Sequence, residues 1–406
     1  MALTADGSSG HGRILIGFAE AVAAPEAAWS LLDAGFDVVA VGRAGRRCTL
    51  RHVRGVDVIA VTPPELDAAA TIRELVRICR DAGVAAVLPL DDPAVWVADA
   101  AARQMSVPIV GPTGPRAALA LDKRVQLAAA RRHGIATPRT TVCETRGEAL
   151  ALADEPLILR PALAVHERGG ALARGPVRRC RTRADLERAV AAWDETVPLL
   201  AQPLIAGTGS GLFGLATADG IGWWSAHRRL RTVDPLGSGS SACVSANPDP
   251  ALLGKVASLL DAVGWRGPFM VELLCDPHGR VWFVELNGRC WGSLALARRL
   301  GWEYPAWAVG DTLGQPLAPA DRMRTEARDA VVCRHLGREL LHLAAVLRGP
   351  RPGEADRWPS RAATARAVLR VGRGERWYNW RSDAPGVLVA DTVATLLDAA
   401  GARSRR

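Results

Sequence analysis

Two short apolar runs joined by a turn carry three oxygen-bearing side chains, and this pairing restricts the fold more than any other stretch of the chain. The first run is Phe269-Met270-Val271-Glu272-Leu273-Leu274-Cys275, the turn is Asp276-Pro277-His278-Gly279, and the return run is Val281-Trp282-Phe283-Val284-Glu285-Leu286-Asn287. Both runs are rich in β-branched and aromatic residues and end at turn formers, so they read as a β-hairpin. With Asp276 paired to Gly279, Glu272 faces Phe283, Glu285 lies diagonal to Glu272 on the same face, and Asn287 follows one step on. Diagonal Cβ atoms are about 7 Å apart. A hard cation bridges such a gap when phosphate oxygens complete its shell, as magnesium requires. A one-residue bulge would change this register, and an ordinary strand also turns carboxylates toward solvent. The hairpin alone leaves both readings open.

The hairpin continues as Asn287-Gly288-Arg289-Cys290-Trp291-Gly292-Ser293 into an apolar helix from Leu294 to Leu300. The stretch Val281 to Ser293 resembles the metal-binding segment of the ATP-grasp superfamily, in its carboxylate-amine ligase and carbamoyl-phosphate-synthase-like branches. The resemblance implies that Glu272, Glu285 and Asn287 hold two magnesium ions, with manganese as a substitute, on the phosphates of ATP. It also implies that Arg289 faces the transferred phosphate. Family members often carry an aromatic where Cys290 stands, so Cys290 reads as a packing substitution, since free cysteine behaves as a small buried hydrophobe.

Upstream segments match the same family in order, over residues 13 to 315. A strand at Arg13 to Phe18, a helix at Ala27 to Ala34 and a strand at Gly35 to Val41 form a βαβ unit. It lacks G-x-G-x-x-G, which argues against a dinucleotide cofactor. A helix near Ala68 to Ala82 and strands at Ala85 to Leu90 and Pro108 to Gly111 continue the alternation. Asp91 and Asp92 read as helix-start residues first and substrate contacts second. The implied fold is α/β: a pre-ATP-grasp parallel-sheet domain at residues 1–115, an ATP-grasp domain at 116–320 with a lid subdomain near 138–205, and a C-terminal extension at 321–406.

The chain has 49 arginines and two lysines, Lys123 and Lys255. In so arginine-biased a sequence a retained ammonium invites a functional reading. Asp122-Lys123 opens a helix ending near His133-Gly134, and the family resemblance assigns Lys123 to phosphate, which suits a compact ammonium. Lys255, on an amphipathic helix, reads as a surface charge. The strand Leu157 to Pro161 resembles the one that carries the second nucleotide-binding lysine, here Arg160, which keeps the charge but not the size. Gly169-Gly170 stands where the family has a mobile loop over the phosphates; a solvated loop is the alternative. Pro198 to Ile205 resembles the strand that packs on adenine, placing Gln202 and Leu204 at the nucleotide. Phe283 either covers an adenine face or is plain core. His227-Arg228-Arg229-Leu230-Arg231 and Gly237 to Ser241 resemble the segment facing the acyl substrate. Alternation turns Arg229 and Arg231 the same way as His227 and Arg228 the opposite way.

At 406 residues and 49% hydrophobic content the chain is long and apolar enough for two or three packed units. Met1 to His11 is polar and lacks the pattern of a secretory signal. No apolar run reaches membrane-spanning length. The eight cysteines form no C-x-x-C pair, which argues against zinc and disulfide frameworks and for a reducing cytoplasm. The charge of +9 comes without an aromatic-studded basic patch, so anionic small molecules explain it better than nucleic acid. Beyond residue 320 the sequence suggests a helix at Arg334 to Leu347, a linker at Gly349 to Glu354, the run Trp377-Tyr378-Asn379-Trp380 and a helix at Ala390 to Ala400. This tail completes the substrate pocket or only covers the sheet.

The resemblance implies an ATP-dependent ligase that converts a carboxylic acid to an acyl phosphate and couples it to an amine, with Arg289, Arg229 and Arg231 in the reaction. Related ligases are often dimers, which admits a homodimer. The alternatives are a ligase using bicarbonate or a thiol, and a catalytically silent ATP-binding regulator, kept open by Arg160 in place of lysine.

Overall fold

Short β-branched runs alternate with alanine-rich segments over residues 13–101, and in the computed structural model they form a parallel sheet flanked by helices. The structure describes residues 11–404 apart from 153–154, 238, 324–329, 351–357, 371 and 373. Strands β1 (Arg13–Gly17), β2 (Asp37–Arg43), β3 (Val56–Val61) and β4 (Val84–Pro89) lie in the order β3-β2-β1-β4. Pro25 in the first turn starts helix Ala24–Asp33, where a missing N–H costs nothing. Asp67 and Asp91 cap helices Ala68–Asp81 and Asp92–Ala101, each accepting a 2.8 Å bond from the third backbone amide onward. The strand expected at Pro108 to Gly111 is reduced to a single bridge, Ile109 to Val87.

The next sheet is antiparallel. It contains β5 (Thr141–Cys143), β6 (Leu157–Pro161), β9 (Arg178–Cys180) and β10 (Leu199–Pro203) in the order β5-β10-β6-β9. Cys143, Leu157, Leu159, Cys180, Leu186 and Val190 close its core against helix Arg183–Ala191. Between β6 and β9, β7 (His166–Arg168) and β8 (Ala171–Ala173) form a hairpin that turns on Gly169 and Gly170 at φ +58° and +82°. The segment read as a mobile loop is thus paired and docked. Ala68 N–H donates to Gly170 C=O at 2.8 Å, Leu172 N–H donates to Pro64 C=O at 2.7 Å, and the Leu172 side chain is buried in the core of the parallel sheet.

The remaining strands build a seven-stranded sheet: β11 (Thr208–Thr217), β12 (Gly220–Thr232), β13 (Ser240–Ala246), β14 (Gly267–Cys275), β15 (Val281–Asn287), β16 (Val332–Arg334) and β17 (Glu375–Trp377). Their order is β15-β14-β11-β12-β13-β16-β17. Two of these strands come from beyond residue 320, so the tail extends the sheet as well as covering it. The helix expected from Arg334 instead spans Leu336–Arg348, because Arg334 is the last residue of β16 and His335 is the N-cap. The helix expected at Ala390 to Ala400 runs over Pro385–Ser404. Met1 to Gly10, Ser238 and Arg351 to Glu354 lie outside the described residues.

Phe213, Trp291, Trp302, Tyr304 and Trp307 share one core with Ile14, Ala27 and Leu31, which joins the parallel sheet's helix Ala24–Asp33 to the seven-stranded sheet. Each large apolar side chain buried in this way contributes about 1.5–3 kcal/mol. The junction therefore holds a defined geometry over the hairpin face. No described helix is long and apolar enough to cross a membrane.

Candidate functional site

The β14–β15 turn is one residue longer than alternation suggested, and this resets the site. Asp276 N–H donates to Arg280 C=O at 3.0 Å, so Asp276 pairs with Arg280 rather than Gly279. The Asp276 carboxylate fixes the turn by accepting from His278 N–H, Arg280 N–H and Trp282 Nε1–H at 2.9–3.0 Å. The ladder then runs Cys275 to Val281, Leu274 to Trp282 and Leu273 to Phe283, after which a bulge absorbs Val284. Glu272 consequently faces Glu285 directly rather than diagonally, with Asn287 opposite Met270.

Five basic side chains, three on this pair and two on the adjoining Asp92, gather at the site. Arg229 on β12 donates to Glu272 at 2.8 Å, and Lys123, the first residue of helix Lys123–Arg132, stands 3.9 Å from Glu285. Asn287 Nδ2–H donates to Glu285 at 3.2 Å. Arg160 on β6 donates from Nη2 to Val284 C=O at 2.9 Å, and its buried Nε has no partner. Arg289 donates to Asp92 at 3.0 Å, while Arg174, just after β8, donates to the other Asp92 oxygen at 2.7 Å. Five cations thus meet three carboxylates, an excess that suits a polyanion. Burial raises the Glu272 pKa, and Glu285 adds to the rise against the pull of Arg229. Burial lowers Lys123, with Glu285 opposing and Arg160 adding to the shift. Burial also lowers Arg160. Burial pushes Asp92 up, but Arg289 and Arg174 outweigh it and hold this carboxyl below its usual range.

Arg229 reaches Glu272 by crossing β11, where Gly209 makes room for it and Gly211 makes room for His227 and Phe213. A Cβ on Gly209 would stand 2.8 Å from Arg229 Cδ; one on Gly211 would stand 3.0 Å from His227 Nε2. Gly211 pairs with both Glu272 and His227, so a strip without side chains separates carboxylate from imidazole. His227 shares a 2.9 Å bond with Ser293 through Nδ1, and its buried Nε2 has no partner. Burial and Arg229 push its pKa down to about 3, so the ring is neutral near pH 7.

Solved structures give this arrangement its relatives. The chain aligns with an L-amino acid ligase from Bacillus licheniformis at TM-score 0.63 and 17% identity, covering 80% of each chain. It aligns with N5-carboxyaminoimidazole synthetase from Staphylococcus aureus complexed with ADP at TM-score 0.61 and 13% identity, covering 80% and 81%. It aligns with the biotin carboxylase domain dimer of 2-oxoglutarate carboxylase from Hydrogenobacter thermophilus, with MgADP, ADP and bicarbonate, at TM-score 0.60 and 16% identity, covering 79% and 73%. This chain has the ATP-grasp fold. No family model and no curated protein matches its sequence.

Within this ATP-grasp chain the sequence-derived candidates separate. Glu272, Glu285, Asn287, Lys123, Arg160 and Arg229 form one cluster, and Arg289 joins it through Asp92. Arg231, expected to turn the same way as Arg229, is separated from it by a bulge at Leu230, and its guanidinium is held by Glu339 at 2.6 Å. Phe283 is fully buried among Ile135, Leu200 and Leu273, the plain-core alternative. Gln202 is buried and donates to Thr140 Oγ1 at 2.8 Å. Leu204 N–H already donates to Pro156 C=O at 2.8 Å, so this amide is not free to read a base. Cys290 is buried in the aromatic core, where burial pushes its thiol up to about 12, as a packing residue requires. Lys255 is exposed. The reading missed Arg174 and the glycines of β11; only the alternate Thr208-Gly209-Ser210-Gly211 pattern signalled the glycines, because strand glycine marks close approach of another group.

The donor set fits magnesium. Among the described residues no group of three or more His, Cys, Asp or Glu side chains could hold a metal. Two opposed carboxylates and one carboxamide leave most of the coordination shell to water and phosphate, which is how magnesium is held in phosphoryl-transfer sites.

Proposed function

We propose that the chain is an ADP-forming carboxylate-amine ligase that phosphorylates a carboxylate with ATP and joins the acyl group to an amine. The observation that carries this reading is the direct opposition of Glu272 and Glu285, with Asn287 alongside, inside a ring of five basic side chains. In support, two of the solved relatives are complexes with ADP, one of them with MgADP.

Glu272, Glu285 and Asn287 would hold magnesium, which when bound neutralises phosphate charge. Lys123 and Arg160 offset the charge that remains, and Arg289, braced by Asp92, faces the transferred phosphoryl group. Arg229 keeps a free Nε for the acyl oxygen. The substrate carboxylate attacks the γ-phosphorus and ADP departs. The amine then attacks the acyl carbon, phosphate leaves with the C–O bond, and an amide remains. Positioning and electrostatics carry such a transfer, and no side-chain nucleophile is needed.

The test is ADP and phosphate release from purified protein with ATP, magnesium and pooled carboxylic acids, bicarbonate and amines, read together with product mass. A product lighter than the summed substrates by one water identifies the ligase. Glu285→Gln is expected to lower ADP release about 10³-fold while leaving the melting temperature within a few degrees; unchanged turnover removes the metal assignment. ATP binding without ADP release from any pool supports the silent regulator, a reading favoured by the bond that ties Arg160 to Val284 C=O.

A further inference from the structure

Arg338 occupies a place where an arginine is costly. It lies in the first turn of helix Leu336–Arg348, where the helix dipole disfavours a cation. Its side chain is partly buried, and Nη1 donates to one backbone carbonyl, Ser240 C=O, at 3.1 Å. Among the described residues no carboxylate lies within ion-pair distance. The carboxylate that acts on it from further off, Asp391, is 3.1 Å from His335 Nε2. Burial lowers the Arg338 pKa, and Arg229 is among the charges that act against it. The neighbouring arginines on the same wall, Arg231 and Arg334, are both held by Glu339. Arg338 is therefore a guanidinium with donors to spare, and it faces the proposed site. Its Nη1 is 3.7 Å from where a Cβ on Gly292 would stand, and Val22, from the loop after β1, closes the same spot.

Its position relative to the metal ligands decides which group it can hold. Ser240 opens β13, and β13 is three strands from β14, which carries Glu272. At about 4.8 Å per strand these backbones are roughly 14 Å apart. Arg229 covers the interval, rooted on β12 and bonded to Glu272. A carboxylate phosphorylated beside Glu272 and Arg229 is thus a different group from one held at Arg338.

We propose that Arg338 binds a second substrate carboxylate, one that is not phosphorylated, so that at least one substrate is an amino acid or a dicarboxylic acid. This rests on the ligase reading above. The carboxylate belongs either to the amine, as in an amino acid, or to the acid, as in a dicarboxylate; the chemistry at Arg338 is the same.

The experiment compares wild type, Arg338→Gln and Arg338→Lys. Amino acids are paired with amines that lack the carboxyl group, and dicarboxylic acids with monocarboxylic acids of equal length. ADP release is measured for each pair, and binding is measured separately by calorimetry in the presence of MgADP. The expected result is a wild-type preference of about 100-fold for the carboxylate-bearing member of one pair, lost in Arg338→Gln and partly restored in Arg338→Lys. Which pair responds identifies the source of the carboxylate. MgATP affinity and melting temperature stay unchanged in both variants, as they would not if Arg338 were structural. The proposal is overturned if wild type discriminates in neither set, if Arg338→Gln keeps the preference, or if the loss follows a fall in melting temperature. Arg338-dependent carboxylate binding without ADP release would sink the ligase reading and leave this site standing; ADP release indifferent to Arg338 would do the reverse.

Discussion

The Glu339 carboxylate is saturated by its neighbours, whereas around Glu272 and Glu285 positive charge is left over. Glu339 has no solvent exposure and accepts from Arg231, Arg334 and Ser241, while Arg334 also bonds Glu375 and the carbonyl of Arg370. Burial pushes the Glu339 pKa up, and Arg231, Ser241 and Arg334 outweigh it and bring it below the usual carboxylate value. At the other cluster, five cations share three carboxylates, and Arg160 Nε, Arg229 Nε and His227 Nε2 are buried without partners. Buried polar atoms are almost always paired. His335 Nε2 and Asp391 Oδ2 near Glu339 are exceptions too, but they face each other at 3.1 Å, whereas the unpartnered arginine donors beside Glu272 and Glu285 belong to an excess of cations that suits an anionic ligand. One cluster holds the tail to the sheet; the other waits for anionic groups.

The sharpest way to break this contrast is Glu339→Gln, which leaves Arg231 and Arg334 without their shared carboxylate. It is expected to cost about 3–5 kcal/mol in urea denaturation, with ADP release per folded molecule little changed. A loss below about 1 kcal/mol would erase the difference between the clusters.

Acid comes next. The His227 pKa is about 3 in the fold against 6.5 in the free chain, so the unfolded chain takes up a proton that the fold refuses. Its stabilising contribution is complete above pH 6.5 and falls by about 1.4 kcal/mol per unit as pH drops toward 3. Near Glu339, His335 shifts the same way to about 3, but burial raises Asp391 from 3.8 to about 6, so the fold binds that proton more readily and the two slopes oppose each other between pH 6 and 4. His227→Asn is therefore expected to flatten the pH dependence of stability by about 1.4 kcal/mol per unit over that window, measured against wild type. An unchanged slope would show that His227 is not the acid-sensitive group.

Lys123→Ala is expected to lower kcat/KM for ATP about 100-fold, and Lys255→Ala to leave it unchanged; equal effects would discard the argument from scarce lysines. The smallest effect is Gly209→Ala. The new methyl group meets the flexible Arg229 side chain, so the fold survives while Arg229 swings off Glu272. About a tenfold loss of turnover at constant melting temperature is the expected outcome, read from steady-state kinetics.

Local signals carried much of this architecture. Leu157 to Pro161 is a strand, as its resemblance to the family's nucleotide-binding strand implied, and Asp122-Lys123 opens its helix because Asp122 caps it, accepting from Arg124 N–H at 2.8 Å. What escaped was non-local or depended on one residue of register. Strand alternation places Glu272 and Glu285 on one face, but it cannot say that Val284 bulges, and the bulge is what sets them opposite each other. Arg229 and Arg231 look equivalent in sequence. Their fates diverge because Glu272 lies within reach of one and Glu339, 108 residues away, within reach of the other. The side chain of Phe283 gave no hint of which strand face was buried.

That separation of 108 residues also sets a schedule for biosynthesis. At roughly 5–20 residues per second, Arg231 is made about 5–20 s before Glu339 exists to meet it. Throughout that interval the β13 edge, which later receives Val332–Arg334, is an open strand with unpaired backbone groups. The nascent protein therefore carries an open strand edge during its own synthesis, until Val332–Arg334 is made and closes it.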